Sequence, residues 1–157
     1  MENTFTKALG TFESSNNLDN IAYYVWTPAG NPRAVVQIVH GMCEHMGRYE
    51  ELARFLASKG IVVCGHDLLG HGHTASSDED LGFFASNDGD KYLLEDVEKL
   101  RCIMRKKYRR LPYFLLGHSF GSFIARAYAA AYPEESIDAL IISGTCGDDL
   151  PAKAGKI

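Results

Sequence analysis

The run Gly117-His118-Ser119-Phe120-Gly121 has the form G-x-S-x-G, and each of its residue types meets a need of nucleophilic catalysis. A serine on a very tight turn from a strand into a helix holds its hydroxyl clear of the sheet. The first amides of that helix have no intrahelical acceptor and aim at whatever the hydroxyl attacks. Such a turn strains the backbone at the serine and presses the chain two residues to either side against its neighbours, where only glycine has no side chain to collide. The flanking sequence supplies that setting, with YFLL before the run and FIARAYAAAY within the segment after it. Ser119 is therefore the candidate nucleophile. The competing possibility is a purely structural turn in which the Ser119 hydroxyl caps the following helix.

A serine hydroxyl reacts slowly near neutral pH unless a base removes its proton and a third group orients that base. His118 adjoins Ser119, but successive side chains of a strand point to opposite faces, which directs it away from the hydroxyl. His40 ends an apolar strand and is expected to hold the loop after it by hydrogen bonding to backbone rather than to act as a base. Asp67, His71 and His73 cluster after another strand. They are residue types that zinc accepts, yet no further ligand motif accompanies them, so loop structure is expected, with no metal and no cofactor. Glu44, His45, Arg48 and Tyr49 are expected to shape an entrance or cap a helix. Met42, Phe83 and Phe84 either give apolar contacts to a substrate or, for the two phenylalanines, cover the sheet. After Ser119 the sequence contains no histidine.

The elements that must position these residues can be read from hydrophobic period and turn chemistry. Residues 4–13 and 21–27 form two extended segments separated by Ser14-Ser15-Asn16-Asn17, which predicts an antiparallel hairpin. Residues 34–39 (AVVQIV) form a strand covered on both faces. A helix is expected over 49–59, stopped by Gly60, then a buried strand over 61–65. The Gly-, His- and Ser-rich stretch to Asp90 reads as a long surface loop with one short helical turn. A helix over 92–108 has Leu93, Val97, Leu100, Ile103 and Met104 on one face. A short strand over 113–116, a helix over 119–132 stopped by Pro133, and a last buried strand over 137–143 complete the order. Short apolar strands alternating with helices imply parallel strands joined by right-handed crossovers, an α/β architecture in one domain.

With these motifs placed, the chain resembles the α/β-hydrolase superfamily and, within it, the monoglyceride lipase and lysophospholipase branch of serine hydrolases. The resemblance covers almost the whole chain. It rests on His40-Gly41-Met42-Cys43-Glu44-His45 with Gly47-Arg48-Tyr49, on Asp67-Leu68-Leu69-Gly70-His71-Gly72-His73, and on the Ser119 run, in the family's order and spacing. It implies an α/β-hydrolase fold, a mostly parallel sheet with an N-terminal antiparallel hairpin. It also implies that the backbone N–H groups of Met42 and Phe120 bind the oxyanion, so that the catalytic set in this chain is Ser119, Met42 and Phe120. Where the family has a small residue followed by glycine, this sequence has Met42-Cys43, which narrows the pocket and brings a thiol near it. The acid and histidine of the triad follow the nucleophile in the family, and no matching residues stand after Ser119. Residues 1–157 are accordingly expected to be the N-terminal portion of a single hydrolase domain, truncated after the sixth strand, with the cap and C-terminal strands absent.

Composition narrows the function classes. A net charge of −4 from 20 acidic and 16 basic residues offers no positive field for nucleic acid. The cluster Arg105-Lys106-Lys107 with Arg109-Arg110 falls where a helix C-terminus favours cations. No stretch approaches the roughly 18 apolar residues of a membrane span, and the acidic N-terminus lacks the pattern of a signal peptide, so cytoplasmic residence is expected. The four cysteines show no paired spacing and are expected to be free thiols. The function expected by resemblance is a serine carboxylester hydrolase acting through an acyl-enzyme on monoacylglycerol or lysophospholipid-like esters in the complete protein, with this chain alone inactive. A proline-type aminopeptidase or other small-ester hydrolase, and a non-catalytic binding protein derived from a hydrolase, are the alternatives. The partner expected is a small ester or lipid, with self-association through an exposed sheet edge.

Overall fold

A computed structural model describes residues 5–132 and 137–147. Its strands are β1 (Phe5–Glu13), β2 (Asn20–Pro28), β3 (Ala34–Val39), β4 (Ile61–His66), β5 (Tyr113–His118) and β6 (Ala139–Ser143). Its α-helices are α1 (Glu50–Ser58), α2 (Gly89–Lys107) and α3 (Phe120–Ala131), with short 3₁₀ turns at Met46–Tyr49 and Asp78–Asp80. The six strands form one sheet in the order β1-β2-β4-β3-β5-β6. The β1–β2 hairpin is antiparallel and joins antiparallel to β4, whereas β4, β3, β5 and β6 run parallel. The mostly parallel sheet with an antiparallel N-terminal hairpin agrees with the expectation.

The continuous apolar run of β3 reflects burial on both faces. Val36 and Ile38 pack with Ala53 and Ala57 of α1, while Val35 lies with Leu100 and Met104 of α2 and Val39 lies with Val97 of α2 and Ile124 of α3. Alternate residues of one strand thus serve two helical layers. Gln37, the polar exception, is buried but satisfied: its amide nitrogen donates to Val97 O at 3.0 Å, and its oxygen accepts from the Tyr113 hydroxyl. Among the described residues, no helix is long and apolar enough to cross a membrane.

The structure alters several boundaries. The helix expected over 49–59 is α1, with Tyr49 and Lys59 as its caps and a 3₁₀ turn, Met46–Tyr49, ahead of it. Helix α2 begins at Gly89, ahead of Tyr92, because its first turn is polar and carries no apolar period. Strand β5 continues through Gly117 and His118, paired with Ile142 and Ser143, and so carries the ladder right up to Ser119. Strand β6 reads as buried by composition, although the exposed sheet edge expected of this chain also falls on it. It is an edge strand whose Ile141 and Ile142 are 44% and 43% exposed. Its apolar composition matches an interior strand, but among the described residues β5 alone pairs with it. Exposure depends on that second neighbour, which local sequence does not report.

Candidate active site

Ser119 occupies the turn between β5 and α3 with φ 50° and ψ −120°, a conformation that costs a non-glycine residue about 1–3 kcal/mol. Its N–H donates to Ser143 O at 2.9 Å, and its carbonyl accepts from the Ser122 hydroxyl at 2.6 Å. The side chain is exposed and makes no cap hydrogen bond to α3, so the structural-cap alternative for the hydroxyl does not describe this turn. The flanking glycines are required sterically. A Cβ at Gly117 would lie within 3.0 Å of Gly121 O, and a Cβ at Gly121 would strike the carbonyl oxygens of Val39 and His40. Phe120 opens α3, so its N–H has no intrahelical acceptor.

The loop after β3 lies against this turn. A Cβ built on Gly41 would stand 3.2 Å from Ser119 Cβ and 2.8 Å from Glu44 Oε1, so the carboxylate and Ser119 flank one point. Glu44 Oε1 accepts from the Gly41 N–H at 2.5 Å and from the Tyr49 hydroxyl at 2.6 Å, and Arg48 Nε lies 3.4 Å from Oε2. Burial alone would raise the Glu44 carboxyl, but hydrogen bonds from Tyr49 and Gly41, with His40 and His118 nearby, hold it below the ordinary carboxylate range. Burial and this carboxylate push the Tyr49 hydroxyl up. Glu44 and Tyr49 were read from sequence as entrance or capping residues. Their spacing from Gly41, three and eight residues along one loop, was the available signal.

His40 Nε2 accepts from Leu68 N–H at 2.9 Å, which leaves Nδ1 protonated and donating to Gly41 O at 2.7 Å. Burial holds its pKa below that of a free histidine, outweighing the Gly41 hydrogen bond. It is a neutral brace between two loops, as expected, and no free nitrogen remains for base duty. His71 repeats the arrangement, with Nδ1 toward Leu69 O at 2.9 Å and Nε2 accepting from Cys43 N–H at 3.3 Å. Asp67 is buried and accepts from Met46 N–H, His73 N–H and the Tyr24 hydroxyl. The structure therefore uses Asp67, His71 and His73 as loop architecture. Among the described residues, no cluster of histidine, cysteine or acidic side chains has metal-site geometry. His118 points Nδ1 toward Ser143 Oγ at 3.3 Å and its ring packs edge-on to Tyr49 at 6.5 Å.

Met42 is exposed between Gly41 and Cys43. Cys43 is exposed with φ 57°, a left-handed conformation that glycine adopts more readily. All four cysteines are free, Cys64 fully buried with its thiol pushed up to about 12 by desolvation. Phe84 is sandwiched between His71 and Phe120, with ring centroids 5.8 and 5.6 Å away, while Phe83 is exposed. Of the two roles sequence allows them, substrate contact or sheet cover, Phe84 fills the second, packing on the core cluster of Val39, Leu68 and Ile124.

Comparison with known proteins places this geometry in a family. The family described as "Serine aminopeptidase, S33" matches residues 30–153. Human monoglyceride lipase is 39% identical over 118 residues, covering 75% of this chain and 37% of the human protein. Monoacylglycerol lipase of Mycolicibacterium smegmatis is 37% identical over 124 residues, covering 79% of this chain and 42% of that protein. Among solved structures, a thermostable carboxyl esterase from Bacillus coagulans in complex with glycerol is 38% identical with a TM-score of 0.86, covering 95% of this chain and 47% of its own. The chain spans less than half the length of each of these three relatives.

Proposed function

The chain belongs to the serine hydrolases of the α/β-hydrolase superfamily, and from that premise we propose that it supplies the nucleophile and oxyanion half of a carboxylester hydrolase acting on monoacylglycerol or lysophospholipid-like esters. The observation that carries this reading is the strained, exposed Ser119, its hydroxyl free of capping duty and its Cβ beside the loop of Gly41. Ser119 Oγ attacks the ester carbonyl. The N–H groups of Phe120 and Met42 receive the tetrahedral oxyanion, and the alcohol leaves to give an acyl-enzyme that water then opens. Relatives named as lipases and an esterase favour an ester over the amide bond that the family's description suggests, with a proline-type aminopeptidase as the second reading.

No histidine follows Ser119 in the sequence, so within this chain attack lacks the usual base and turnover is expected to be slow. That sets the experiment. With imidazole in the buffer as an external base, a medium-chain nitrophenyl ester should acylate the chain once, at Ser119, as read by intact and peptide mass. Ser119→Ala should remove the adduct while leaving circular dichroism unchanged. An amino-terminal proline anilide should give none. An adduct of equal yield in Ser119→Ala, or acyl transfer from the prolyl compound alone, would overturn the reading.

A further inference from the structure

The net charge of −4 is unevenly placed. The parallel strands β3, β4, β5 and β6 all begin at the end of the sheet opposite Ser119, and six exposed cations gather there. Arg33 leads into β3, Lys59 caps α1 just ahead of β4, Lys106 and Lys107 close α2, and Arg109 and Arg110 lead into β5. Backbone hydrogen bonds hold these segments side by side: Arg33 N–H donates to Gly60 O at 2.8 Å, and Val35 N–H donates to Pro112 O at 2.9 Å.

Among the described residues, none of the six forms an ion pair. Asp138, an acid at this end, is taken by Arg105 at 3.3 Å and by the Tyr113 N–H. Counting Glu134 and Glu135, which precede β6 in the sequence, against them still leaves seven cations, Arg105 included, to three acids. The dipole of α2 accounts for the cations of its last turn. It does not account for Arg109 and Arg110 beyond the helix, nor for Arg33 and Lys59 on other elements. Residues 67–90, which run from the end of β4 to the start of α2 on the Ser119 side, carry six acidic residues and no lysine or arginine. The two ends of the sheet therefore differ in sign.

We propose that the basic end is a docking face for a bilayer containing anionic phospholipid, on which the molecule stands with Ser119 directed away from the surface. Clusters of about four to eight Lys and Arg side chains hold proteins at such surfaces, each multiplying binding by about fivefold. The six here are spread over four segments and free of carboxylates, so they offer many loose contacts to a field of headgroups and no fixed cradle for one anion. Lys59 Nζ lies 5.6 Å from the ring centroid of exposed Phe55, an aromatic group of the kind that settles among headgroups. Strands of six residues put the acidic end about 20 Å farther from the surface, more than two Debye lengths of about 8 Å at physiological salt. Its repulsion is screened in this orientation and opposes the reverse one. The choice of a bilayer over other polyanions rests on the ester-hydrolase reading. A lipid with one acyl chain is held only marginally by a bilayer, so it leaves readily and meets a site suspended just above the surface.

Binding is read by co-sedimentation of the whole chain with vesicles of phosphatidylcholine, alone or with about 30% phosphatidylserine. The mixed vesicles should bind at least about tenfold more tightly at roughly 50 mM salt, and the difference should vanish at about 0.5 M. Arg109→Gln with Arg110→Gln should weaken that binding at least about tenfold, with circular dichroism unchanged because both positions are exposed. Arg48→Gln with Lys91→Gln, an equal charge change at exposed positions on the Ser119 side, should weaken it less than about twofold. A nitroxide-headgroup lipid should quench a fluorophore on Ser58→Cys, at the basic end, in a Cys43→Ser, Cys102→Ala, Cys146→Ser background, and should spare one on Cys43 in a Cys102→Ala, Cys146→Ser background. Equal binding to the two vesicles, equal loss in the two double variants, or stronger quenching at Cys43 overturns the proposal. Binding of a DNA duplex or polyglutamate without binding of either vesicle overturns it as well. If the mixed vesicles bind as expected while no ester acylates Ser119, the ester-hydrolase reading falls and the docking face stands.

Discussion

His66, the last residue of β4, is fully buried, and among the described residues neither ring nitrogen has a hydrogen-bond partner. Desolvation, reinforced by nearby His40, lowers its pKa to about 3. The unfolded chain binds this proton near the ordinary value of about 6.5. The folded state prefers the neutral ring, so His66 supports folding fully above about pH 6.5, and that support is lost progressively as the pH falls toward 3. Proton linkage for one site moving from 6.5 to 3 amounts to about 2 kcal/mol at pH 5 and approaches about 5 kcal/mol below pH 3. That is a large share of a typical domain stability of about 5–15 kcal/mol. His66→Leu removes the site without stranding a partner, because the ring donates and accepts nothing; its packing against Phe12, centroids 6.0 Å apart, is replaced by aliphatic contact. Urea unfolding of both proteins at pH 7.5, 6 and 5 should show the variant gaining on the parent by about 2 kcal/mol across that range. Other groups titrate in both proteins and cancel in the difference. Parallel pH profiles within about 0.5 kcal/mol would refute the reasoning and require a protonated or solvated His66 in the fold.

Three further outcomes follow. Gly121→Ala places a methyl against the Val39 and His40 carbonyls; it should destabilise the chain by more than about 3 kcal/mol, read as loss of soluble yield or a melting transition lowered by roughly 6 °C or more. Glu44→Gln weakens the charge-assisted hydrogen bond to Gly41 N–H and the contacts to Tyr49 and Arg48, at a cost of about 1–3 kcal/mol. Amide exchange at Gly41 should accelerate at least tenfold. Because the folded Glu44 carboxyl sits below its ordinary range, its contribution is full above the unfolded value and is lost only as the pH falls through the lower folded one. Ile141→Glu, on the exposed edge strand, should shift any self-association seen by light scattering toward monomer without lowering the melting temperature by more than about 2 °C; an unchanged mass distribution would exclude that edge as the contact.

The turn at Ser119 was legible because it is written locally: it needs glycine at two fixed offsets, a strand before and a helix after, and all lie within a score of residues. The alternation of strands and helices was legible for the same reason, since period is a local property. The exposure of β6 was not legible in its own residues, because a run such as ALIIS has the same composition whether one strand or two lie beside it. The frame around Ser119 was legible only as separate motifs. In the structure, HGMCEH and DLLGHGH are one object. His40 takes the Leu68 amide, Asp67 takes the Met46 amide, and His71 takes the Cys43 amide, each across more than twenty residues. No spacing rule within either segment announces those pairings; parallel β3 and β4 create them by delivering both loops to one end of the sheet. Glu44 then fixes Gly41 from inside the first loop, at a point where a side chain on Gly41 would meet Ser119. The loop after β3 is thus held by His71 and Asp67 of the second motif and by its own Glu44 carboxylate. Disturbing DLLGHGH should therefore reach Ser119 through backbone geometry, although none of the hydrogen bonds of Asp67 or His71 described above involves the nucleophile.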